Sequence, residues 1–560
     1  MKRIPWQAVV VTGLALAAAT WQPACGADAG DSSGWDAWNP ADADAPSDGR
    51  SDWGAAEGGA DADAAAEVDT WLPPEVEEPT DFHAPQGSSR FVFLSNPVGD
   101  NVVVIDSQRL TLELVEVGDT PTELATLGRD DGAVVIDSGS DDVAVLRAAP
   151  GLPTEVSFEA IASGANAVSV SPDGRHGITF YDVDARTGVR PPNMQEVTLL
   201  VFNPVEERRA QRTTVRSLPV AVDWTSDGTK AFVIGWDGMT VVDFALVGEG
   251  YRPTNISFGT TVDPADPFGT EVARRMDNVD VSGDGRLAVL SKADAAELLL
   301  LDIATQVITP IALPSAPTDV DLDEQGLFAL AALRDERQVA RVDLADPSAP
   351  TVYLTTVSGV VPGQVVIAPE ADLAVIFCNA AEFEAIGVLD MVSGDTTVVP
   401  LQKSVRAVAI TPDGEAAVVI HNKKDGDPDD PRLDPVTDLD EIIDRTFGFS
   451  LVRFSDGLVV RQETPCDPGT WLVYPDAHKA FLTLRDDANG VRDVLEADLI
   501  DFVTDTVHLG SPPASLGLAP LTRKVFVGQE HPTGRITFIS ADTGSVQTVT
   551  GFELNDWIVE

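Results

Sequence analysis

The sequence predicts an all-β fold, a β-propeller of four-stranded blades, and three observations carry this prediction. A strand–turn–strand unit, clearest at residues 407–420, recurs in imperfect copies from about residue 90 to the end. Several of its strands, such as residues 102–105, are continuously apolar, which indicates burial on both faces. A chain of 560 residues also exceeds what one compact core can organise. Small sheets stacked face to face around an axis meet all three conditions.

Residues 1–25 predict an export signal. Lys2 and Arg3 precede an apolar run at residues 8–19, and the small residue Ala24 follows near the end. The run is shorter than the roughly 18 apolar residues that a spanning helix needs. We therefore expect export rather than a membrane span.

The end of this signal resembles the lipobox of bacterial lipoproteins. Ala24 and Cys25 fit that motif, whereas Gln22 and Pro23 depart from it. The resemblance implies that Cys25 is lipidated, with plain signal cleavage as the alternative. Gly26 after the cysteine resembles lipoproteins sorted to a Gram-negative outer membrane. The expected location is thus the outer membrane, or otherwise the periplasm or the extracellular space.

Residues 26–87 are rich in Ala, Asp, Gly and Pro and predict a disordered acidic tether. The formal net charge of the chain is −53. This charge disfavours nucleic acid as a partner, because phosphate binding needs clustered Lys and Arg.

Residues 88–560 predict the propeller itself. First and second strands are joined by turns in which Gly takes a left-handed conformation, as at residues 171–174 and 411–414. We count ten units, which start near Ser89, Pro121, Asn166, Pro219, Asn278, Pro317, Pro362, Ser404, Asp467 and Pro513. The first unit lacks an opening strand, and we expect residues 553–559 to supply it and so close the ring. A smaller ring with extra units, or two successive rings, are the alternatives.

Residues 90–96, 101–106 and 114–121 together resemble the YVTN-type β-propeller repeat of exported bacterial surface proteins. Weaker copies cover nearly all of the folded part. The resemblance implies a fold and leaves the function open, since propellers host many functions.

An insertion at residues 422–448 is the largest break in the repeat. Asp425, Asp427 and Asp429 alternate within it and resemble part of a calcium loop, with a solvated acidic loop as the alternative. Residues 438–444 predict a helical turn. Because loops between blade strands lie on a propeller face, this insertion is the first candidate for recognition.

A second acidic group alternates before a turn at Asp319, Asp321 and Asp323. On a first strand these carboxylates would face the central channel, where they could bind a cation or line a hydrated wall. Asp280 and Asp284 occupy the equivalent place one unit earlier. Calcium is therefore the only cofactor that the sequence suggests.

Cys378 and Cys466 could form a disulfide if their blades are neighbours, or remain buried thiols. The six histidines show no metal-ligand spacing, and no nucleophile elbow or phosphate loop is present.

These patterns predict a non-enzymatic, lipid-anchored propeller that binds a protein or glycan at the cell envelope. One alternative is a hydrolase or lactonase that uses channel carboxylates and a bound cation. The other is a structural envelope component.

Overall fold

The computed structural model describes residues 10–11, 83–128, 131–183, 185, 191–202, 209–216, 218–259, 276–292, 294–380, 382–552 and 558–559. The signal peptide with Cys25, and the tether up to residue 82, lie outside these ranges apart from one two-residue strand. Among the described residues, no helix has the length and hydropathy that a membrane span requires.

Ten antiparallel sheets, each built from four strands consecutive in sequence, form a ring. The protein is therefore a ten-bladed β-propeller, and the prediction of one ring with ten units is confirmed. We number the blades in chain order and call their strands inner, second, third and outer.

The strand bounds follow the blade order. Blades 1 to 3 contain Gln86–Gly87, Phe91–Asn96, Asn101–Asp106 and Thr111–Glu116; Pro121–Thr126, Gly132–Asp137, Asp142–Ala149 and Leu152–Ala160; and Ala167–Val170, His176–Phe180, Glu196–Val201 and Ala210–Thr214. Blades 4 to 6 contain Pro219–Trp224, Lys230–Gly235, Gly238–Asp243 and Thr254–Ser257; Asn278–Val281, Leu287–Ser291, Glu297–Asp302 and Val307–Ala312; and Asp319–Leu322, Phe328–Leu333, Gln338–Asp343 and Thr351–Thr355. Blades 7 and 8 contain Gln364–Ile367, Leu373–Phe377, Ala385–Asp390 and Thr396–Pro400; and Val405–Ile410, Ala416–His421, Phe447–Arg453 and Leu458–Thr464. Blades 9 and 10 contain Pro468–Tyr474, Lys479–Asp486, Val491–Asp498 and Thr504–His508; and Pro513–Ala519, Lys524–Gln529, Arg535–Ser540 and Val546–Thr550.

Three short helices complete the described structure. They are one α-helix, α1, at Leu439–Asp444, and two 3-10 turns at Pro475–Ala477 and Pro520–Thr522. Two further strands have only two residues: Val10–Val11 pairs with the inner strand of blade 9, and Ile558–Val559 with the outer strand of blade 10.

The core lies between the blades. Second strands are buried throughout in several blades, and third strands are buried over most of their length in many. Their side chains form apolar clusters shared by two neighbouring sheets, for example between blades 8 and 9 and between blades 5 and 6. Inner strands of neighbouring blades contact each other and so line the centre of the ring. Each blade is thus stabilised mainly against its neighbours.

Strand direction decides where the loops lie. Because strands within a blade are antiparallel, the loops between second and third strands share one face with the connections between blades. We call this the upper face. The turns that the sequence predicts between inner and second strands lie on the opposite face. The glycines that end two of them, Gly174 and Gly414, have left-handed φ angles of 71° and 66°.

The structure corrects the predicted closure. Gln86–Gly87, placed in the tether by the sequence, is the opening strand of blade 1, whereas Ile558–Val559 pairs within blade 10. Blades 1 and 10 meet through an apolar cluster that includes Val92 and Phe526. A Cβ at Gly87 would collide with the backbone oxygen of Leu518, so only glycine allows this close approach of the two inner strands. The ring is closed by face packing, not by exchange of a terminal strand.

Both described cysteines are buried free thiols, so the disulfide does not form. Cys466 lies in the cluster between blades 8 and 9. Cys378 packs near Gly363 in blade 7. Burial raises the pKa of the Cys466 thiol, which keeps it in its neutral form.

Candidate functional site

The insertion of blade 8 forms a structured protrusion on the upper face. It connects the second strand, which ends at His421, to the third strand, which begins at Phe447. Its helix α1 confirms the helical turn predicted at residues 438–444. The side chain of Asp438 accepts a hydrogen bond from the backbone of Asp434 at 2.9 Å and so organises the loop before the helix.

A buried lysine fastens this protrusion to the ring. Lys403 is only 1% exposed, and its Nζ donates hydrogen bonds to the backbone oxygens of Ile443 and Asp444 at 3.0 and 2.8 Å. These carbonyls end α1, where the helix dipole favours a cation. Burial lowers the pKa of Lys403, while the nearby Asp444 opposes that effect.

Ion pairs brace the protrusion internally. Arg445 pairs with Glu441 at 2.8 Å, and Arg432 pairs with Asp430 at 2.5 Å. Lys424 lies 3.4 to 3.8 Å from three carboxylates, those of Glu382, Glu441 and Asp444. Exposed pairs contribute little singly, but this network links the insertion to the neighbouring blade 7.

A polar pocket of about 340 Å³ lies at the base of the protrusion, between blades 7 and 8. Its lining combines amides, carboxylates and ammonium groups, and comprises Asn379, Ala380, Glu382, Glu384, Ser404, Asn422, Lys423, Lys424 and Asp444. Burial, together with the charges of Asp444 and Asp440, raises the pKa of Glu384. Such a lining can donate and accept hydrogen bonds with hydroxyl, amide or charged groups of a ligand.

His421 contacts Ser404, one of the residues that line the pocket. It is 2% exposed, its Nε2 lies 2.7 Å from the Ser450 hydroxyl, and its Nδ1 lies 3.2 Å from the backbone oxygen of Ser404. Burial lowers its pKa to about 4. His421 is therefore neutral at physiological pH and acts as a positioning residue.

The calcium-like residues of the insertion do not converge. Asp427 accepts a hydrogen bond from the backbone of Asp429 at 3.0 Å, and the adjacent Asp430 is held by Arg432, which lowers its pKa to about 2. Within the described ranges, no three His, Cys, Asp or Glu side chains form a group that could hold a metal. A calcium site that includes Asp425 remains a prediction.

The channel carboxylates connect neighbouring blades. Asp319 and Asp321 lie on the inner strand of blade 6 and accept hydrogen bonds from the backbone N–H groups of Val365 and Ile367 in blade 7, at 2.9 and 2.6 Å. Asp323 lies beyond that strand, in the following turn. These bonds account for part of the acceptor capacity of Asp319 and Asp321.

The same arrangement recurs one blade earlier and reveals a residue that the sequence analysis missed. Asp280 accepts from the backbone of Leu322 at 3.2 Å, and Asp223 of blade 4 lies close enough to interact with Asp280. Asp223, Asp280 and Asp321 each stand two residues before a turn, and this alignment could have identified Asp223. Burial, together with the charges of neighbouring carboxylates such as Asp319, raises their pKa values to about 7, 6 and 7.

Replacing Asp321 by Asn is expected to stabilise the protein at pH 8. The pKa of Asp321 is raised from its ordinary value of 3.8 to about 7 in the folded state. Folding therefore becomes less favourable as the pH rises from the ordinary pKa to the raised one, because the buried carboxyl must then ionise. Asn removes the charge and keeps an oxygen for Ile367. We expect a gain of about 1–2 kcal/mol at pH 8 and little at pH 4, measured by urea unfolding. The exposed Asp413→Asn is the control, and an equal response of both variants would refute the expectation.

No family model and no curated protein matches this chain. The YVTN-type assignment therefore remains a sequence resemblance.

Comparison with solved structures finds other chains with low identity. The dihydro-heme d1 dehydrogenase NirN in complex with DHE is 14% identical, covers 66% of this chain and 76% of its own, and has a TM-score of 0.40. Apo AztD from Citrobacter koseri is 12% identical, with coverage of 67% and 93% and a TM-score of 0.36. Chaetomium thermophilum Sqt1, bound to the N-terminus of ribosomal protein L10, is 14% identical, with coverage of 61% and 94% and a TM-score of 0.36. At this similarity, what those proteins bind says nothing about this chain.

Proposed function

We propose that this protein is an exported, lipid-anchored propeller that acts as a non-enzymatic binding module at the cell envelope. We further propose that the insertion of blade 8, with the pocket at its base, recognises a protein or glycan. The observation that carries this proposal is the construction of the protrusion. The acidic insertion is fastened to the ring by the buried Lys403 and stabilised by ion pairs, and residues at its two ends line a polar pocket. A preorganised surface loses less entropy on binding than a loose loop does.

Site-specific crosslinking on intact cells tests the recognition face. A photoreactive side chain replaces Val436, which is 87% exposed on the insertion, or Val392, which is 63% exposed on the opposite face of blade 7. We expect a saturable adduct from position 436 and none from position 392. Equal capture at both positions, or capture only at position 392, would contradict the assignment.

Lipid anchoring has its own test. Cells supplied with radioactive palmitate should label the full chain, and Cys25→Ser should abolish the label because the thiol that carries the acyl chain is lost. Two or more acyl chains are needed for firm anchoring, since each buried methylene contributes about 0.8 kcal/mol. Fractionation of both proteins provides the second readout. A Cys25→Ser protein that still incorporates label would rule out this anchor.

A hydrolase or lactonase is the second candidate, because Asp223, Asp280 and Asp321 form a row of carboxylates with raised pKa values. A carboxylic acid with a pKa near 7 can exchange protons at neutral pH. If this function is correct, the purified protein hydrolyses an ester or lactone, and the Asp321→Asn variant does so much more slowly. Unchanged hydrolysis in that variant would leave the binding function as the better proposal.

A further inference from the structure

An unpaired carboxylate is fully buried at the upper end of blade 2. Asp137 ends the second strand, lies opposite Asp142 of the third strand and is 0% exposed. Neither of its carboxylate oxygens accepts a hydrogen bond of ordinary geometry among the described residues, although the backbone N–H groups of Gly118 and Ala144 approach closely enough to lower its pKa in part. A buried charge without a partner costs several kcal/mol, so this position calls for a compensating group.

Two loops build a small oxygen-rich cage around Asp137. A Cβ at Gly118 would lie 2.6 Å from Asp137 Oδ2 and 2.7 Å from Ser140 Oγ, so both oxygens face the same bare glycine. The Ser140 hydroxyl donates to Asp142 Oδ1 at 2.9 Å. Oxygens of Asp137, Ser140 and Asp142 are thus gathered beside a position where a side chain would not fit.

Backbone hydrogen bonds fix this cage. The N–H groups of Ser138 and Gly139 donate to the backbone oxygens of Thr120 and Asp119 at 3.0 and 2.9 Å. The loop between blades 1 and 2 is thereby joined to the loop between the second and third strands of blade 2. The cage is preformed and does not depend on a flexible chain segment.

Blade 1 carries the neutral counterpart of this pair. Asn96 and Asn101 occupy the same register position, and the Asn96 amide donates to Asn101 Oδ1 at 3.4 Å. Asp100, which precedes Asn101, and Asp141, which precedes Asp142, both have a left-handed backbone, with φ of 51° and 55°. Two amides can bond to each other, whereas two carboxylates only accept hydrogen bonds. Among the residues that the structure describes, neither Asp137 nor Asp142 forms an ion pair.

The geometry points to a cation site in blade 2, in which the carboxylates of Asp137 and Asp142 and the hydroxyl of Ser140 bind a hard divalent ion such as calcium. Calcium accepts carboxylate, hydroxyl, backbone carbonyl and water oxygens in flexible numbers, so two carboxylates can suffice. The ion would join blades 1 and 2 through the loops that form the cage. This site lies at the upper end of blade 2, in a different blade from the insertion and its pocket, and its residues are not on the inner strands that line the channel.

A shared proton is the competing explanation. Burial, with the charge of Asp142, raises the pKa of Asp137 to about 7, so a carboxylic acid beside a carboxylate would also relieve the repulsion. The two explanations differ in what they predict. A cation site responds to calcium at constant pH, whereas a shared proton responds to pH alone.

Equilibrium dialysis with radioactive calcium tests the site on the full chain after chelation, in about 0.2 M KCl so that the diffuse ion cloud is screened. We compare the wild type with Asp137→Asn/Asp142→Asn, which recreates the neutral pair of blade 1. Asp425→Asn/Asp429→Asn removes the same charge from the insertion and serves as the matched control. Thermal unfolding at about pH 8, with and without calcium, is the second measurement.

We expect one saturable ion per wild-type chain and per control chain, a loss of affinity of at least about tenfold in the blade 2 variant, and a calcium-dependent rise in Tm that the blade 2 variant lacks. Loss of binding in the insertion variant alone would overturn the location. An absence of saturable calcium binding, with a Tm that rises only on acidification, would overturn the cation in favour of the shared proton.

Discussion

Lys403→Met should release the insertion of blade 8 from the ring. Methionine fills much of the lysine volume but cannot donate the two hydrogen bonds to Ile443 and Asp444. The Ile443 and Asp444 carbonyls would keep their hydrogen bonds from Thr446 and from the Lys424 backbone but would lose two bonds from a charged donor, each worth roughly 1.5–3 kcal/mol. We expect the local stability of the protrusion to fall by about 2–4 kcal/mol while the blades remain folded, because Lys403 lies between the ring and the insertion.

Limited proteolysis measures this effect directly. Cleavage within residues 425–440 should accelerate by at least about tenfold in Lys403→Met, since 1.4 kcal/mol corresponds to a factor of ten in the opened population. Lys424→Met is the matched control, because this lysine also faces Asp444 but belongs to an exposed network. Equal cleavage in both variants would show that Lys403 does not hold the insertion. Capture through position 436 should fall in parallel if the insertion recognises a partner.

Gly174→Ala should cause the largest loss of stability among the turn glycines considered. Gly174 has a φ of 71°, and its Cβ would collide with the backbone oxygen of Leu127 in the preceding blade. Alanine therefore meets both an unfavourable backbone conformation, about 1 kcal/mol, and a clash between blades that only backbone movement can relieve. We expect a total of about 3 kcal/mol.

Gly544→Ala separates these two causes. Its φ is 66°, but a Cβ there would meet nothing within 4 Å. The cost should be about 1 kcal/mol, from the backbone alone. Urea unfolding of both variants gives the difference, which reports the tightness of packing between blades 2 and 3. A similar loss of unfolding free energy in the two variants would show that small movements relieve the clash at Gly174 and that blades 2 and 3 are loosely packed there.

Local patterns were sufficient for much of the architecture. The turn at residues 411–414 and the apolar run at residues 102–105 describe strands and hairpins that depend on neighbours only a few residues away. Nine of the ten predicted unit starts lie within two residues of the observed inner strands, whereas the inner strand of the first unit was missed. The insertion at residues 422–448 was recognisable for the same reason, because it interrupts a local repeat.

The candidate sites were only partly predictable. The acidic residues of the insertion and of the blade 6 inner strand are visible in the sequence, but their partners are not. Asp321 bonds to Ile367 of the next blade, and Lys403 bonds to the end of a helix about 40 residues later. Such contacts depend on how segments distant in sequence pack together. The spacing of apolar and turn residues along the chain does not specify that packing.

By itself, the sequence determined the all-β class, the ten units and the position of the insertion, because short-range turn chemistry and apolar runs specify each hairpin. Only the tertiary structure decided how the ring closes and which carboxylates are buried. Gly87 packs against Leu518 across more than 400 residues, and Asp137 becomes fully buried because Gly118 arrives from the preceding blade. Both outcomes depend on the contact between two sheets, and that contact exists only once the ring has formed.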